Sequence, residues 1–143
     1  MLLLPGSGGW RLTFHAMVGV LAEQHTVYAL DPPGQGKTAV TDPAFGHDVD
    51  AIAHAIGAFL DAVGLPEVAI IGHSWGGGFA LRFAQLHPHR VSRLALLATR
   101  RLPRSDVPLV DPLPAGRPVR ALGRTGTDAA SITSARTLLS HLV

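Results

Sequence analysis

The 143-residue chain has no cysteine. That excludes a disulfide framework, a thiol nucleophile and a cysteine-ligated zinc. Neither H-E-x-x-H nor a comparable ligand spacing occurs, so no metal and no cofactor are expected. Charged residues are scarce, at 15%, against 47% hydrophobic residues. A chain of that balance buries a core, which excludes disorder over its whole length. No apolar run reaches the roughly 18 residues of a membrane span. The start, Met1-Leu2-Leu3-Leu4-Pro5-Gly6, has no basic segment, and its apolar run is too short for a signal peptide. A cytoplasmic location without a membrane partner is the expectation. Aromatic residues are absent after residue 99, where the charge also changes. Residues 1–99 carry a net −2 and residues 100–143 a net +4. The seven arginines of the second segment are scattered among prolines and glycines, without aromatics on which bases could stack. No nucleic-acid partner is expected.

What is present divides at the same point. The length fits one domain. Residues 1–99 alternate strand and helix signals. Met1–Leu4 is an apolar run stopped by Pro5-Gly6-Ser7-Gly8-Gly9, a turn cluster. Trp10, Phe14, Met17, Val18 and Leu21 recur at the spacing of one helix face. His25–Leu30 predicts a second strand, closed by Asp31-Pro32-Pro33-Gly34-Gln35-Gly36. Val49, Ile52, Ala53, Ile56, Phe59, Leu60 and Val63 form the best helical stripe, with Asp48 as N-cap and Gly64 as the stop. Glu67–Ile71 predicts a third strand. Phe79, Ala80, Phe83 and Ala84 mark a helix ending near Pro88, and Val91–Ala98 predicts a fourth strand. Short apolar strands alternating with amphipathic helices specify an α/β fold: a mostly parallel sheet of about four strands with helices on both faces. Residues 100–143 read as an irregular Arg/Pro-rich tail or incomplete cap segment. Prolines 103, 108, 112, 114 and 118 break any periodicity there. Ile132, Ala135, Leu139 and Leu142 allow one short helix, capped by Asp128.

Between the third strand and the following helix stands Gly72-His73-Ser74-Trp75-Gly76, a G-x-S-x-G sequence. A sharp strand-to-helix turn there lifts a serine hydroxyl above the sheet edge. Glycines two positions to either side let strand and helix approach. The first N–H groups of the helix face any negative charge developing at the serine. Together with Leu2-Leu3-Leu4-Pro5-Gly6-Ser7-Gly8-Gly9 and Asp31-Pro32-Pro33-Gly34-Gln35-Gly36, this segment resembles the α/β-hydrolase fold family over residues 1–99, its nucleophile-bearing half. The resemblance implies a serine hydrolase acting on ester, amide or related acyl bonds of a small-molecule substrate. It makes Ser74 the nucleophile. The backbone N–H groups of Trp75 and Ser7 become the donors to the oxyanion. Pro5 stands where many members have histidine. The Asp31 segment is expected to be structural, shaping a loop near the site. The resemblance also implies the strand order second, first, third, fourth.

Serine needs a base, and the base an orienting carboxylate. The family supplies both after the serine, acid before histidine. Asp106 or Asp111, followed by His141, has that order, in a segment without a strand signal to position them. His73 adjoins the serine but points elsewhere in the family. His87 and His89 read as helix-terminal residues. The alternative reading is a truncated, catalytically inactive member lacking the acid and histidine. A more remote alternative is a nucleotide-binding α/β domain, from Gly34-Gln35-Gly36-Lys37-Thr38. A phosphate loop needs glycine where Asp31 stands, and Pro43 interrupts the helix that a dinucleotide fingerprint must open. The oligomeric state is not legible, although open sheet edges favour association.

Overall fold

The computed structural model describes residues 1–99 and the backbone of 119–122. Five strands, β1 (Leu2–Leu4), β2 (Tyr28–Ala29), β3 (Val68–His73), β4 (Val91–Leu97) and β5 (Val119–Leu122), pair in the order β2-β1-β3-β4-β5. All four pairings are parallel. The first four strands stand in the expected order, with β1 inside the sheet. The fifth corrects the reading of the segment after residue 100 as strandless. Val119-Arg120-Ala121-Leu122 is four residues with an arginine inside, too short and too mixed to stand out among prolines and glycines. Its backbone pairs with Leu94–Leu97 of β4.

Side chains alternate across the sheet, so each strand feeds two cores. Leu2 and Leu4 of β1, Val68 and Ile70 of β3, and Leu94 and Leu96 of β4 join one cluster. Leu3, Ile71 and Ala95 face the other way into a second. Two helices cover the first face. α2 (Val49–Ala62) contributes Ile52, Ala53, Ile56 and Leu60, and α3 (Trp75–Leu86) contributes Phe79, Ala80, Phe83 and Ala84. α1 (His15–Ala22) covers the second face with Leu21, after a 3-10 turn (Arg11–Phe14) that supplies Phe14. Helices on both faces follow from crossovers between parallel strands.

The α2 stripe is realised from its start. Asp48 caps the helix, its carboxylate accepting the Ala51 N–H at 2.8 Å. Gly64 follows with a φ of +69°, the left-handed stop that glycine permits. Two members of the expected stripes fall outside them. Trp10 is extended and 38% exposed, because the helical turn begins only at Arg11. Val63 caps the C-terminus of α2 and is 37% exposed. The second strand, expected over His25–Leu30, contracts to two residues, although the Leu30 N–H still donates to the Leu3 carbonyl at 3.1 Å.

Two ion pairs tie α2 to the α3 region. Arg82 grips Asp50 through two bonds of 2.5 and 2.9 Å. Arg90 reaches Asp61 at 2.7 Å and also donates to the Pro66 and Leu65 carbonyls. Apolar burial between the helices and the sheet carries the stability. Ile56 is fully buried. Ile56→Ala is expected to lower unfolding free energy by about 2–5 kcal/mol in urea denaturation. A loss below 1 kcal/mol would mean that α2 does not pack as described.

Candidate active site

The C-terminal end of β3 runs into α3 through one residue, Ser74. Its φ of 51° and ψ of −117° lie outside the ordinary regions for a side-chain-bearing residue. The neighbouring strand holds that geometry. The Ser74 N–H donates to the Leu97 carbonyl at the end of β4, at 2.9 Å. The Ser74 carbonyl accepts from the N–H groups of Gly77 and Gly78, at 3.1 and 3.4 Å, and so opens the helix. Trp75 and Gly76 occupy the first two helical positions, whose N–H groups have no acceptor within a helix. Those donors, with the positive end of α3 behind them, favour negative charge beside Ser74.

Glycine is compulsory around this turn. A methyl group on Gly72 would stand 2.6 Å from both the Gly76 carbonyl oxygen and the Gly77 Cα. One on Gly76 would collide with the Leu4 and Pro5 carbonyls at the end of β1, and one on Gly77 with Thr99. The second glycine of G-x-S-x-G therefore makes room for β1, and the first lets β3 approach the start of α3. The loop after β1 comes equally close. A methyl on Gly6 would lie 2.8 Å from Ser74 Cβ and 3.2 Å from His73 Nδ1. Ser7, the next residue, is exposed. Trp75 packs against the core beside Phe79, with ring centroids 6.3 Å apart.

The loops around the turn are anchored by Asp31, the one buried acidic residue among those described, at 5% exposure. It accepts the Arg11 N–H at 2.5 Å, the Arg11 guanidinium at 2.8 Å and the Lys37 N–H at 3.0 Å. It thereby joins the segment after β1 to the one after β2. This bears out the structural role expected for the Asp31 segment; its partner Arg11, twenty positions away, carried no sequence signal. Gly36 has a φ of +54°, and a side chain there would strike the Asp31 carboxylate. Burial pushes the Asp31 carboxyl up, but the hydrogen bonds from Lys37 and Arg11 outweigh it and hold it below its usual value.

The remaining predicted site residues divide in two. Asp106, Asp111 and His141 lie outside the described residues. Among the described residues, no imidazole or carboxylate hydrogen-bonds the Ser74 hydroxyl. His73 turns its buried Nδ1 toward Gly6, without a hydrogen-bond partner among those residues. His87 and His89 stand beyond the far end of α3, twelve residues or about 18 Å of helix away, which agrees with a helix-terminal role. A cleft of about 390 Å³ lined by Met1, Tyr28, Val68 and Arg93 opens at the N-terminal ends of the strands, opposite Ser74. Open α/β sheets bind ligands at the other end. No group of three or more histidine and acidic residues able to hold a metal exists among the described residues. No described helix is long and apolar enough to cross a membrane.

A parallel sheet in this order, with a serine held at positive φ between β3 and α3, defines the class. The sequence model of the alpha/beta hydrolase fold matches residues 1–138, and the chain belongs to that family. It is 37% identical over 95 residues to 2-hydroxy-6-oxononadienedioate/2-hydroxy-6-oxononatrienedioate hydrolase 1 of Dechloromonas aromatica, covering 65% of this chain and 32% of that protein. It is 35% identical over 107 residues to 2-hydroxymuconate semialdehyde hydrolase of a Pseudomonas species, covering 69% and 36%. A probable hydrolytic enzyme of Pseudomonas aeruginosa superposes with a TM-score of 0.64 at 31% identity, covering 68% of this chain and 31% of that one. The chain spans about a third of the length of these proteins.

Three outcomes test this geometry. Gly76→Ala is expected to cost about 1–3 kcal/mol or more, since the backbone of β1 must yield, and denaturant titration measures it. A carboxyl whose folded pKa is depressed adds stability that is present above its ordinary pKa and lost as pH falls through the folded value. Stability should therefore drop below about pH 4, in part through Asp31. Asp31→Asn should cost about 1–3 kcal/mol at pH 7 and flatten that acid dependence. An Asp31→Asn protein as stable as the parent at pH 7 would rule the clamp out.

Proposed function

We propose that the protein is a serine hydrolase acting on the acyl bonds of small molecules, with Ser74 as its nucleophile. The observation that carries this reading is the backbone of Ser74, held at φ 51° between a parallel strand and a helix N-terminus inside Gly72-His73-Ser74-Trp75-Gly76-Gly77. Such a conformation costs free energy in folding, and such costs cluster at functional sites. In the proposed reaction Ser74 Oγ attacks the substrate carbonyl. The carbonyl oxygen becomes negative and accepts hydrogen bonds from the Trp75 and Ser7 N–H groups. The serine proton passes to a base, for which His141, oriented by Asp106 or Asp111, is the proposed source. The 6-oxo dioate and semialdehyde hydrolases named above support a carbonyl-bearing substrate of low molecular mass.

The same site supports a second reading, that of a family member that does not turn over. It is favoured by His73, the histidine next to Ser74, whose buried Nδ1 faces Gly6 and bonds to none of the described residues. A fluorophosphonate probe separates the two, because it reacts with an activated serine. The expected outcome is covalent labelling of the folded protein, lost in Ser74→Ala and strongly slowed in His141→Ala. Labelling that persists in Ser74→Ala would overturn the assignment of the nucleophile. Folded protein that does not label at all leaves the second reading.

A further inference from the structure

Three chain segments enclose the first turn of α3. The Leu4 and Pro5 carbonyls press on Gly76, and Gly72 lies beneath Gly76 and Gly77. The third segment is the exit of β4, where the Leu97 carbonyl receives the Ser74 N–H at 2.9 Å. The next residue, Ala98, has a φ of 45°, a left-handed conformation that disfavours any residue with a side chain. That turn lays Thr99 against α3, and a methyl group on Gly77 would overlap its Oγ1, Cβ and Cγ2.

Thr99 Oγ1 is buried and has no hydrogen-bond partner among the described residues. A buried hydroxyl without a partner weakens a fold. Among the described residues, then, it is not hydrogen bonding that accounts for what Thr99 contributes. Its shape does: two heavy atoms on Cβ make a short side chain that is stiff about χ1. Such a side chain, delivered by a strained turn, makes a rigid stop against a helix that offers only glycine.

We propose that Thr99 is a positioning residue for the nucleophile turn: its branched side chain, wedged on Gly77, sets how far α3 stands from the end of β4 and so where Ser74 Oγ is presented. The labelling part of the test rests on the nucleophile assignment made above; the amide-exchange part does not.

The test compares Thr99→Ala, Thr99→Ser and Thr99→Val in the full 143-residue chain. Fluorophosphonate labelling is resolved into its saturation constant and its maximal rate, and hydrogen exchange is followed at the amides of residues 74–78. Thr99→Ala is expected to slow the maximal rate about tenfold with the saturation constant unchanged, as displacement of a reacting atom requires. Exchange at residues 74–78 should quicken while the amides of α2 keep their protection. Thr99→Val, which keeps the branch and drops the hydroxyl, should restore both to the parent values. Should Thr99→Ala fail to fold, Thr99→Ser, lacking only the methyl, replaces it in the comparison with valine. Parent-like exchange in Thr99→Ala would overturn the proposal. So would a Thr99→Val protein as impaired as alanine, since the hydroxyl and not the shape would then matter. A parent that does not label but shows the expected exchange pattern supports the wedge and removes the nucleophile assignment instead.

Discussion

The beginning of α3 is a place where backbone meets backbone. Gly72, Gly76 and Gly77 pack against one another, against the carbonyls ending β1 and against Thr99, in contacts that leave no space for a single added carbon. Other features depend on that closeness. β1 and β3 can lie side by side with α3 directly above their ends only because the helix begins as glycine. Ser74 is pushed into a positive φ because strand and helix must join within one residue, and its N–H bond to Leu97 locks the result. The site is thus a by-product of packing: the interior fixes the serine before any chemistry is considered. Close-packed interiors are stiff, so a serine fixed this way is held to a narrow range of positions.

The loops around the serine obey a different physics. Pro5 and Pro32 are fully buried in them, and Asp31 joins them through charge-assisted hydrogen bonds to two backbone amides and a guanidinium. The carboxylate is desolvated, but each of its bonds is directed, and one group fixes the entry of the 3-10 turn and the bend at Lys37 together. Arg11 also lies over the ring of Trp10, 5.4 Å from its centroid, which keeps that exposed indole near the same anchor. The segment after β1 and the segment after β2 therefore cannot shift independently.

Much of this was legible in the sequence, and for physical reasons. The α2 stripe, its Asp48 cap and its Gly64 stop are local devices that act within a few residues, and the structure reproduces them. The turn at Ser74 came from a short motif whose setting, strand before and helix after, can be checked along the chain, and the strand order from the resemblance to the α/β-hydrolase family. What escaped were pairings between residues remote in sequence. Arg11 with Asp31, Arg82 with Asp50 and Gly77 with Thr99 join positions that carry no mark of each other. Helix ends escaped too, since Trp10 and Val63 fit the apolar spacing but lie where the helical turns have not begun or have already closed. Strand β5 was missed because four residues with one charge give no periodicity to read. It exists through its partner: Leu94 to Leu97 already present an ordered row of backbone groups to which a short segment can bond.

The same economy shapes the edge of the sheet at β2. Only Tyr28 and Ala29 pair with β1, so the strand offers about 7 Å of regular backbone on its outer side. Two prolines, Pro32 and Pro33, follow the closing bond of Leu30 and carry no N–H to extend the ladder. A foreign strand aligning there would find two residues to bond before the template ends. A sheet whose interior strands are almost wholly apolar carries, on this side, its own protection against growing into a neighbour.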